Sequence, residues 1–443
     1  MSLSTKNSMH VETFSSLSNE KKEAIGILSI GTFLEYFDLL LYVHMAVLLN
    51  ELFFLKTDPH TAALLAAFAF CSSYVLRPLG ALIFGYIGDN IGRKSTVIVT
   101  ATMMSLSCFT MANLPTYEQI GITAAYIVTI CRVAQGMATM GEVICADLYI
   151  TELTKPPIQY PAVTLIAVFG VLGGTVALGV ASLVTSFGLN WRSAFWLGTL
   201  VAVIGAVART RLRETPDFAD TKRRIKNAII KAKHDPDLLN HNVIWNEKVN
   251  KKTALSLFFI ECSWPVCFYF AYMYCGNILK NTFYLTPAEI IHQNFIVSMI
   301  QLFSWLMVGY LSYIVYPLKI LKVRLMLFLI FIALCPHLLN NSTSPHQIMA
   351  IQAFIAVFGF MGTPAIPIFY KHFPIFRRFT YATFSYALSR AFVYVVTSFG
   401  LVYLHTFFGN YVVLVVMIPT AIAFIYALHH FETLEKANGH HAY

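Results

Sequence analysis

Residues 77–94 read Arg-Pro-Leu-Gly-Ala-Leu-Ile-Phe-Gly-Tyr-Ile-Gly-Asp-Asn-Ile-Gly-Arg-Lys, an apolar segment with a cation at one end and a small charged turn at the other. Glycine at position 85 allows a second helix to approach closely, as helices do in lipid. Asp89 can face the positive N-terminal end of a neighbouring helix. Arg93 and Lys94 are expected on the cytoplasmic side of a membrane. The stretch therefore predicts a membrane-spanning helix that ends in a cytoplasmic turn.

The composition places the chain in a bilayer. Of its 443 residues, 57% are hydrophobic and 12% are charged, whereas a soluble domain has roughly 25% charged residues. The net charge is +9, but the basic residues lie in short turns between apolar segments of about 20 residues. We therefore expect a lipid bilayer as the partner of these turns, and no nucleic acid.

Neither the cysteines nor the histidines form a recognisable metal or catalytic motif. All eight cysteines fall inside apolar segments, where they are expected to pack as small side chains. His440 and His441 are too few and too close to the C-terminus to indicate a metal site. No cofactor is predicted. The lack of a nucleophile–base constellation indicates that the protein is not an enzyme.

Hydropathy predicts an all-α integral membrane protein with twelve transmembrane helices in two six-helix bundles. We divide the chain into a cytoplasmic tail (1–23), an N-terminal bundle (24–209), a cytoplasmic linker (210–251), a C-terminal bundle (252–430) and a second tail (431–443). The predicted spans are 24–49, 62–88, 95–113, 121–149, 160–187, 191–209, 252–282, 289–316, 320–339, 346–370, 379–407 and 410–430.

The basic residues orient these spans. Most of the 31 Lys and Arg residues fall in the tails and the even-numbered loops. The odd-numbered loops, on the other side of the membrane, contain Lys56, Arg192 and Lys280. Because cytoplasmic loops carry an excess of Lys and Arg, both termini are predicted to be cytoplasmic. The linker is expected to lie on the inner membrane surface.

Two acidic residues of the first span are candidates for proton coupling. Glu35, Asp38 and Tyr42 share one face of a helix. Burial favours a neutral carboxyl group and a nearby cation favours its ionised form, so such a group can change protonation when the cation moves. We predict Asp38 or Glu35 as the titrating group, with Arg132, Arg77 or both as counter-ion. The alternative is a permanent structural ion pair.

The buried cations and several aromatic residues are candidates for substrate binding. Arg132 shares a helix face with Gln135 and offers a planar fork suited to carboxylate. Arg390 is the predicted midplane cation of the second half. Pro265 can break the seventh span, and discontinuous helices often line transport sites. The predicted set, for which packing roles remain the alternative, is Arg132, Arg77, Arg390, Gln135, Tyr42, Trp264, Tyr272 and Tyr386.

Charged residues near the cytoplasmic surface are candidates for a gate. Glu142 and Glu152 follow the midplane part of the fourth span and are expected to meet Arg93 and Lys94 in a cytoplasmic latch. The predicted gating set is Gly85, Asp89, Gly92, Arg93, Lys94, Glu142 and Glu152.

The spacing Gly85-x-x-x-Asp89-x-x-Gly92-Arg93-Lys94 resembles the signature loop of the major facilitator superfamily. Further patches in the first half resemble its metabolite:proton symporter branch, which includes carriers of proline/betaine, citrate, 2-oxoglutarate and shikimate. They are 31–42, 77–94, 132–152, 190–195 and 211–218. The resemblance implies import of a small polar metabolite by alternating access, with function at Asp38, Arg132 and the signature loop.

The sequence therefore predicts a proton-coupled symporter, a monomer in a cell inner membrane, whose partners are a proton and a small-molecule substrate. A carboxylate-bearing substrate is expected, whether an organic acid, a zwitterion or a polycarboxylate siderophore, because the midplane carries several arginines. A uniporter, an exporter or a transporter-like nutrient receptor remain as alternatives.

Overall fold

The computed structural model describes residues 17–54, 59–90, 93–141, 143–209 and 249–439. Every regular element in these ranges is a helix. The described α-helices are α1 (Asn19–Phe53), α2 (Pro59–Val75), α3 (Arg77–Asn90), α4 (Arg93–Asn113), α5 (Tyr117–Ile120), α6 (Ile122–Ala138), α7 (Val143–Leu153), α8 (Gln159–Ser186), α9 (Arg192–Arg209), α10 (Lys251–Phe268), α11 (Cys275–Asn281), α12 (Pro287–Ile314), α13 (Pro317–Asn340), α14 (Pro345–Phe358), α15 (Ile366–Lys371), α16 (Ile375–Phe408) and α17 (Val412–Ala437). Nearly all of the predicted linker lies outside the described residues.

Helices long and apolar enough to cross a membrane are present in both halves of the described chain. Five stretches meet both conditions: Asn19–Met45, Gln159–Ser186, Lys251–Asn281, Pro287–Ile314 and Arg377–Ala437. Shorter apolar helices, such as those within α4, α6 and α14, lie between them. The predicted all-helical membrane architecture is confirmed, whereas the number of twelve crossings stays a prediction.

The predicted second span consists of two helices instead of one. The helix is interrupted at Leu76, between α2 and α3. Pro78 explains the interruption, because its ring has no N–H to bond to the carbonyl oxygen four residues earlier and clashes with that carbonyl. Arg77 therefore stands at the first turn of a new helix.

The seventh span is not broken at Pro265, where the sequence suggested a break. The helix continues through Pro265 to Phe268 and then passes through a π-helical turn, Tyr269–Tyr274. Proline lacks the N–H that would bond to the carbonyl four residues earlier. That carbonyl belongs to Glu261, and it accepts a hydrogen bond from Arg390 Nη1 at 3.2 Å instead. A break occurs in the tenth span, at residues 359–365, between α14 and α15.

Glycines bring helix backbones into direct contact in the first half. A Cβ atom on Gly136 of α6 would lie 1.6 Å from the carbonyl oxygen of Ser73 in α2. One on Gly173 of α8 would lie 2.2 Å from the carbonyl oxygen of Phe33 in α1. These contacts fix how α1, α2, α6 and α8 are rotated against one another.

One arginine that the predicted topology places with the inner-loop cations is buried. Arg324 lies in α13 and is 7% exposed. The buried arginines of the described chain thus include Arg324 as well as Arg77, Arg132 and Arg390.

Candidate functional site

A cavity of about 170 Å³ lies between the two halves of the chain. Helices of both halves line it: α1, α2, α3, α7 and α8 from the first, and α10, α12, α15 and α16 from the second. Its aromatic lining includes Tyr36, Tyr74, Trp264, Tyr272, Trp305 and Tyr386. Five residues of the predicted substrate set line it, namely Arg77, Arg390, Trp264, Tyr272 and Tyr386.

An ion pair forms part of the second-half wall. Arg390 Nη1 lies 2.8 Å from Glu261 Oε2. The guanidinium also stacks on the ring of Tyr386, with 3.3 Å between Cζ and the ring centroid. The charge of Arg390 is therefore neutralised within the wall, and the ion pair joins α10 to α16.

Arg77 provides the cation of the first-half wall. Its Nε donates to the carbonyl oxygen of Ser73 at 3.2 Å, and its guanidinium lies 4.2 Å from the centroid of the Tyr74 ring. Its Nη2 has no hydrogen-bond partner among the described residues. Arg77 therefore retains a donor for an additional acceptor.

The formal charges of the cavity lining are balanced. Among the described lining residues, Arg77 and Arg390 are the cations, and Glu261 and Asp147 are the acids. His44 also lines the cavity, with its ring centroid 5.9 Å from that of Tyr272. The sequence suggested more cations than acids at this site, whereas the lining contains equal numbers of the two.

Arg132 lies in a separate cluster inside the first half and does not line the cavity. Its side chain is fully buried and donates to Gln135 Oε1 at 3.0 Å and to Ser73 Oγ at 2.9 Å. Its guanidinium also lies 4.2 Å from the centroid of the Tyr42 ring and donates to the carbonyl oxygen of Leu39 at 3.4 Å. The cluster ties α6 to α1 and α2.

The two predicted coupling acids are buried in α1 and also lie outside the cavity lining. Glu35 is 5% exposed and Asp38 is 2% exposed. A Cβ atom on Gly198 of α9 would lie 3.3 Å from Asp38 Oδ1 and 3.7 Å from Cys108 Sγ. The same Cys108 Sγ accepts a hydrogen bond from Gln135 Nε2 at 3.5 Å. Asp38 therefore belongs to the same buried neighbourhood as Arg132.

The two halves also contact each other on either side of the cavity. We call the end of the molecule where α1 begins and α17 ends the inner end, after its predicted orientation, and the opposite end the outer end. Towards the outer end, Ser182 Oγ lies 3.3 Å from His292 Nδ1. At the inner end, the rings of Tyr160 and Tyr316 meet edge to face, with 6.3 Å between their centroids. The cavity therefore lies between two sets of contacts that join the halves.

A hydrogen bond joins the halves at the cavity itself. The hydroxyl oxygens of Tyr36 and Tyr386 lie 3.1 Å apart. Because Tyr386 also stacks on Arg390, the ion pair of the second half is linked to α1 of the first.

The inner end carries an ion pair that includes one predicted gating residue. Glu152 Oε1 at the end of α7 lies 3.3 Å from Arg378 Nη1 at the start of α16. Arg378 was not in the predicted gating set. The side chains of the other members, namely Gly85, Asp89, Gly92, Arg93, Lys94 and Glu142, lie outside the described residues.

Several cavity residues were not predicted as site residues. Tyr36 and His44 stand eight residues apart in α1, with Thr32 and Leu40 completing a stripe at a spacing of four. This i, i+4 pattern marks one helix face. The pattern is visible in the sequence, but the predicted site residues of α1, Glu35, Asp38 and Tyr42, lie on a different face of the helix. Asp147, by contrast, carries no local pattern that separates it from a surface acid.

A cavity between two helical halves is an arrangement typical of a secondary transporter. A family profile described as Major Facilitator Superfamily matches residues 28–385. The chain belongs to this superfamily.

Relatives and solved structures agree with the family. The proline/betaine transporter of Escherichia coli is 32% identical over 204 residues, which cover 44% of this chain and 41% of that protein. An inner membrane metabolite transport protein of the same species, YhjE, is 31% identical over 229 residues, covering 49% and 52%. The chain thus matches about half the length of these relatives. The proton:xylose symporter XylE of E. coli superposes with a TM-score of 0.69 at 15% identity, over 94% of this chain and 95% of that one.

Proposed function

We propose that the protein is a secondary active transporter that imports a small carboxylate-bearing metabolite together with protons, by alternating access of the cavity. The observation that carries this proposal is the cavity between the two halves, with Arg77 in one wall and the Arg390–Glu261 pair in the other. The similar proteins named as a proline/betaine transporter and a proton:xylose symporter support it.

The proposal includes the topology predicted from the sequence: twelve crossings in two bundles, both termini cytoplasmic, in a cell inner membrane and as a monomer. Interrupted helices such as α2–α3 and α14–α15 would each complete one crossing. The name of YhjE as an inner membrane protein supports the location.

Within the carboxylate-bearing class, the lining favours a zwitterion. A carboxylate can accept a charge-assisted hydrogen bond from Arg77 Nη2. A cationic end can lie on the face of an aromatic ring or near Asp147. A polycarboxylate would add several negative charges to a lining whose charges are already balanced. The cavity volume is about 170 Å³, well above the ~10–15 Å³ of such volume that one water molecule needs, so the cavity has room for a small metabolite.

Proton coupling is proposed at Asp38, with Glu35 as the second candidate and Arg132 as the responding cation. Arg132 holds α1 through the carbonyl of Leu39. A change of charge at Asp38 alters the electrostatic energy of Arg132 in this position. Because the opposite face of α1 carries Tyr36 and lines the cavity, rotation or shift of α1 would transmit the change to the substrate.

Ligand-dependent melting of the purified protein tests the binding part of this proposal. Ligands that bind only the folded state raise the melting temperature by mass action. Glycine betaine and proline should do so more than citrate or a citrate-based siderophore at equal concentration. Arg77→Gln should abolish the shift, whereas Lys280→Gln, at an exposed outer position, should preserve it. A shift with citrate alone, or an undiminished shift in Arg77→Gln, would contradict the assignment.

A further inference from the structure

The break in the tenth span forms part of the cavity wall. Residues 359–365, between α14 and α15, are non-helical, and Met361, Gly362 and Thr363 of this segment line the cavity. A helix that ends inside a membrane leaves its last carbonyl groups without intrahelical donors. Lipid provides none, so such a break persists only where protein supplies them.

Arg324 of α13 supplies those donors. Its Nη2 donates to the carbonyl oxygen of Val357, in the last turn of α14, and to that of Gly359 at 3.4 Å. Its Nη1 lies 2.9 Å from Met361 Sδ. One guanidinium therefore contacts both the last turn of α14 and segment 359–365. Its positive charge also complements the negative C-terminal end of α14.

Arg324 differs from Arg390 in how its buried charge is compensated. Among the residues that the structure describes, no carboxylate forms an ion pair with Arg324. Burying a charge costs free energy unless polar groups compensate it. Here the compensation comes mainly from backbone carbonyls of the broken segment, so the burial of Arg324 depends on the break.

The segment is also packed tightly against α10 on its other side. A Cβ atom on Gly359 would lie 3.0 Å from Cys267 Sγ, and one on Gly362 would lie 2.9 Å from Ile260 Cγ2. Ile260 directly precedes Glu261, the partner of Arg390. The segment is therefore held between Arg324 and the helix that carries the cavity ion pair.

The geometry points to Arg324 as a positioning residue that holds segment 359–365 in place and so sets the wall of the cavity, without touching the substrate. Loss of its donors frees the carbonyls of Val357 and Gly359 and lets the segment move away from α10. Thr363 then becomes more accessible from the cavity. This inference does not depend on the identity of the substrate.

The test is the rate at which a thiol-reactive maleimide labels a cysteine placed at Thr363, measured by mass spectrometry of the protein in proteoliposomes. Combined with Thr363→Cys, Arg324→Met should raise the labelling rate by about tenfold or more, because hydrogen bonds from a charged group are lost. Arg324→Lys, which keeps the charge but not the fork, should give an intermediate rate. Lys322→Met, on the same helix, is the matched control and should leave the rate unchanged.

The native Cys108 in α4 distinguishes a local from a global effect. It is fully buried, so it should remain unlabelled in Arg324→Met if only the segment moves. An unchanged rate at position 363 in a folded Arg324→Met protein would overturn the proposal. Parallel labelling of Cys108 would also overturn it, because Arg324 would then stabilise the whole fold instead of positioning the segment.

Discussion

Arg390 and Glu261 form an ion pair at 2.8 Å between α16 and α10, and the same guanidinium donates a hydrogen bond to the backbone carbonyl of Glu261 at 3.2 Å. That carbonyl is available because Pro265 has no N–H to bond to it. A proline that suggested a broken helix thus acts instead by giving Arg390 a second acceptor. The ion pair and the proline together fix the charge of the second-half wall.

Replacing Glu261 should change which ligands bind. Glu261→Gln keeps the side-chain shape but leaves Arg390 without its ionic partner, which adds one net positive charge to the cavity. Breaking one partner of a buried pair typically costs about 3–5 kcal/mol of stability, so a lower melting temperature is expected. In the melting assay, citrate should gain relative to glycine betaine.

Glu118→Gln, on the short exposed helix α5, serves as the control and should alter neither stability nor ligand preference. An unchanged ratio of the citrate and betaine shifts in Glu261→Gln would show that the ion pair does not set the charge felt by the ligand.

Asp38→Asn should separate coupling from translocation. The neutral side chain cannot release a proton, so accumulation driven by a pH gradient should be lost. Exchange of labelled for unlabelled glycine betaine, which needs no net proton movement, should continue. Proteoliposome counterflow measures the second process.

Glu35→Gln distinguishes the two candidate acids in the same assays. If Glu35 is the coupling group, this variant shows the loss and Asp38→Asn does not. Gradient-driven accumulation in both variants would exclude proton coupling at either acid of α1.

The pair of Glu152 and Arg378 should stabilise the closed inner end. Their side chains are 25% and 13% exposed, so the pair contributes on the order of 1 kcal/mol. Glu152→Gln should shift the population towards states open at this end. Spin labels at Lys155→Cys and Lys319→Cys, one in each half, should then lie farther apart, as measured by double electron–electron resonance spectroscopy.

The charge swap Glu152→Arg with Arg378→Glu should restore the shorter distances. Glu432→Gln removes an acid that forms ion pairs with Lys322 and Lys436, both in the second half, and it should not change the distances. A swap that behaves like the single variant would show that the pair is not the latch.

Gly136→Ala should destabilise the first half strongly. The added Cβ would overlap the carbonyl oxygen of Ser73 at 1.6 Å, and neither backbone can yield without moving Arg132 from Ser73 Oγ. Overpacking costs about 1–3 kcal/mol or more. Gly400→Ala, where nothing lies within 4 Å of the added atom, is the matched control. Equal melting temperatures for the two variants would refute the close helix contact.

Much of the architecture could be predicted from local sequence. Apolar length predicted helices such as α8 and α12 to within a few residues, because a bilayer imposes its thickness on each crossing. The face shared by Glu35 and Asp38 was also predicted correctly from helix periodicity. Which face of α1 would line the cavity was not predictable in the same way, since the rotation of α1 is set by its contact with Gly173.

The interruptions of the helices also depend on distant contacts that local sequence does not show. Pro265 and Pro78 have the same local effect, the loss of one donor. At Pro265 a distant arginine compensates and the helix continues, whereas at Pro78 the helix is interrupted. Segment 359–365 contains local helix breakers, Gly359, Gly362 and Pro364, but the donor for its freed carbonyls, Arg324, is more than 30 positions away in the sequence. Long-range donors decide these outcomes, and a single sequence does not reveal them.

We propose that the cavity moves a small zwitterion together with protons. The most direct measurement is uptake of radiolabelled glycine betaine into proteoliposomes of the purified protein, with the interior more alkaline than the exterior. The account predicts accumulation above the external concentration, which a protonophore abolishes and Arg77→Gln prevents. Uptake that only equilibrates, and that neither the gradient nor the protonophore changes, would contradict it.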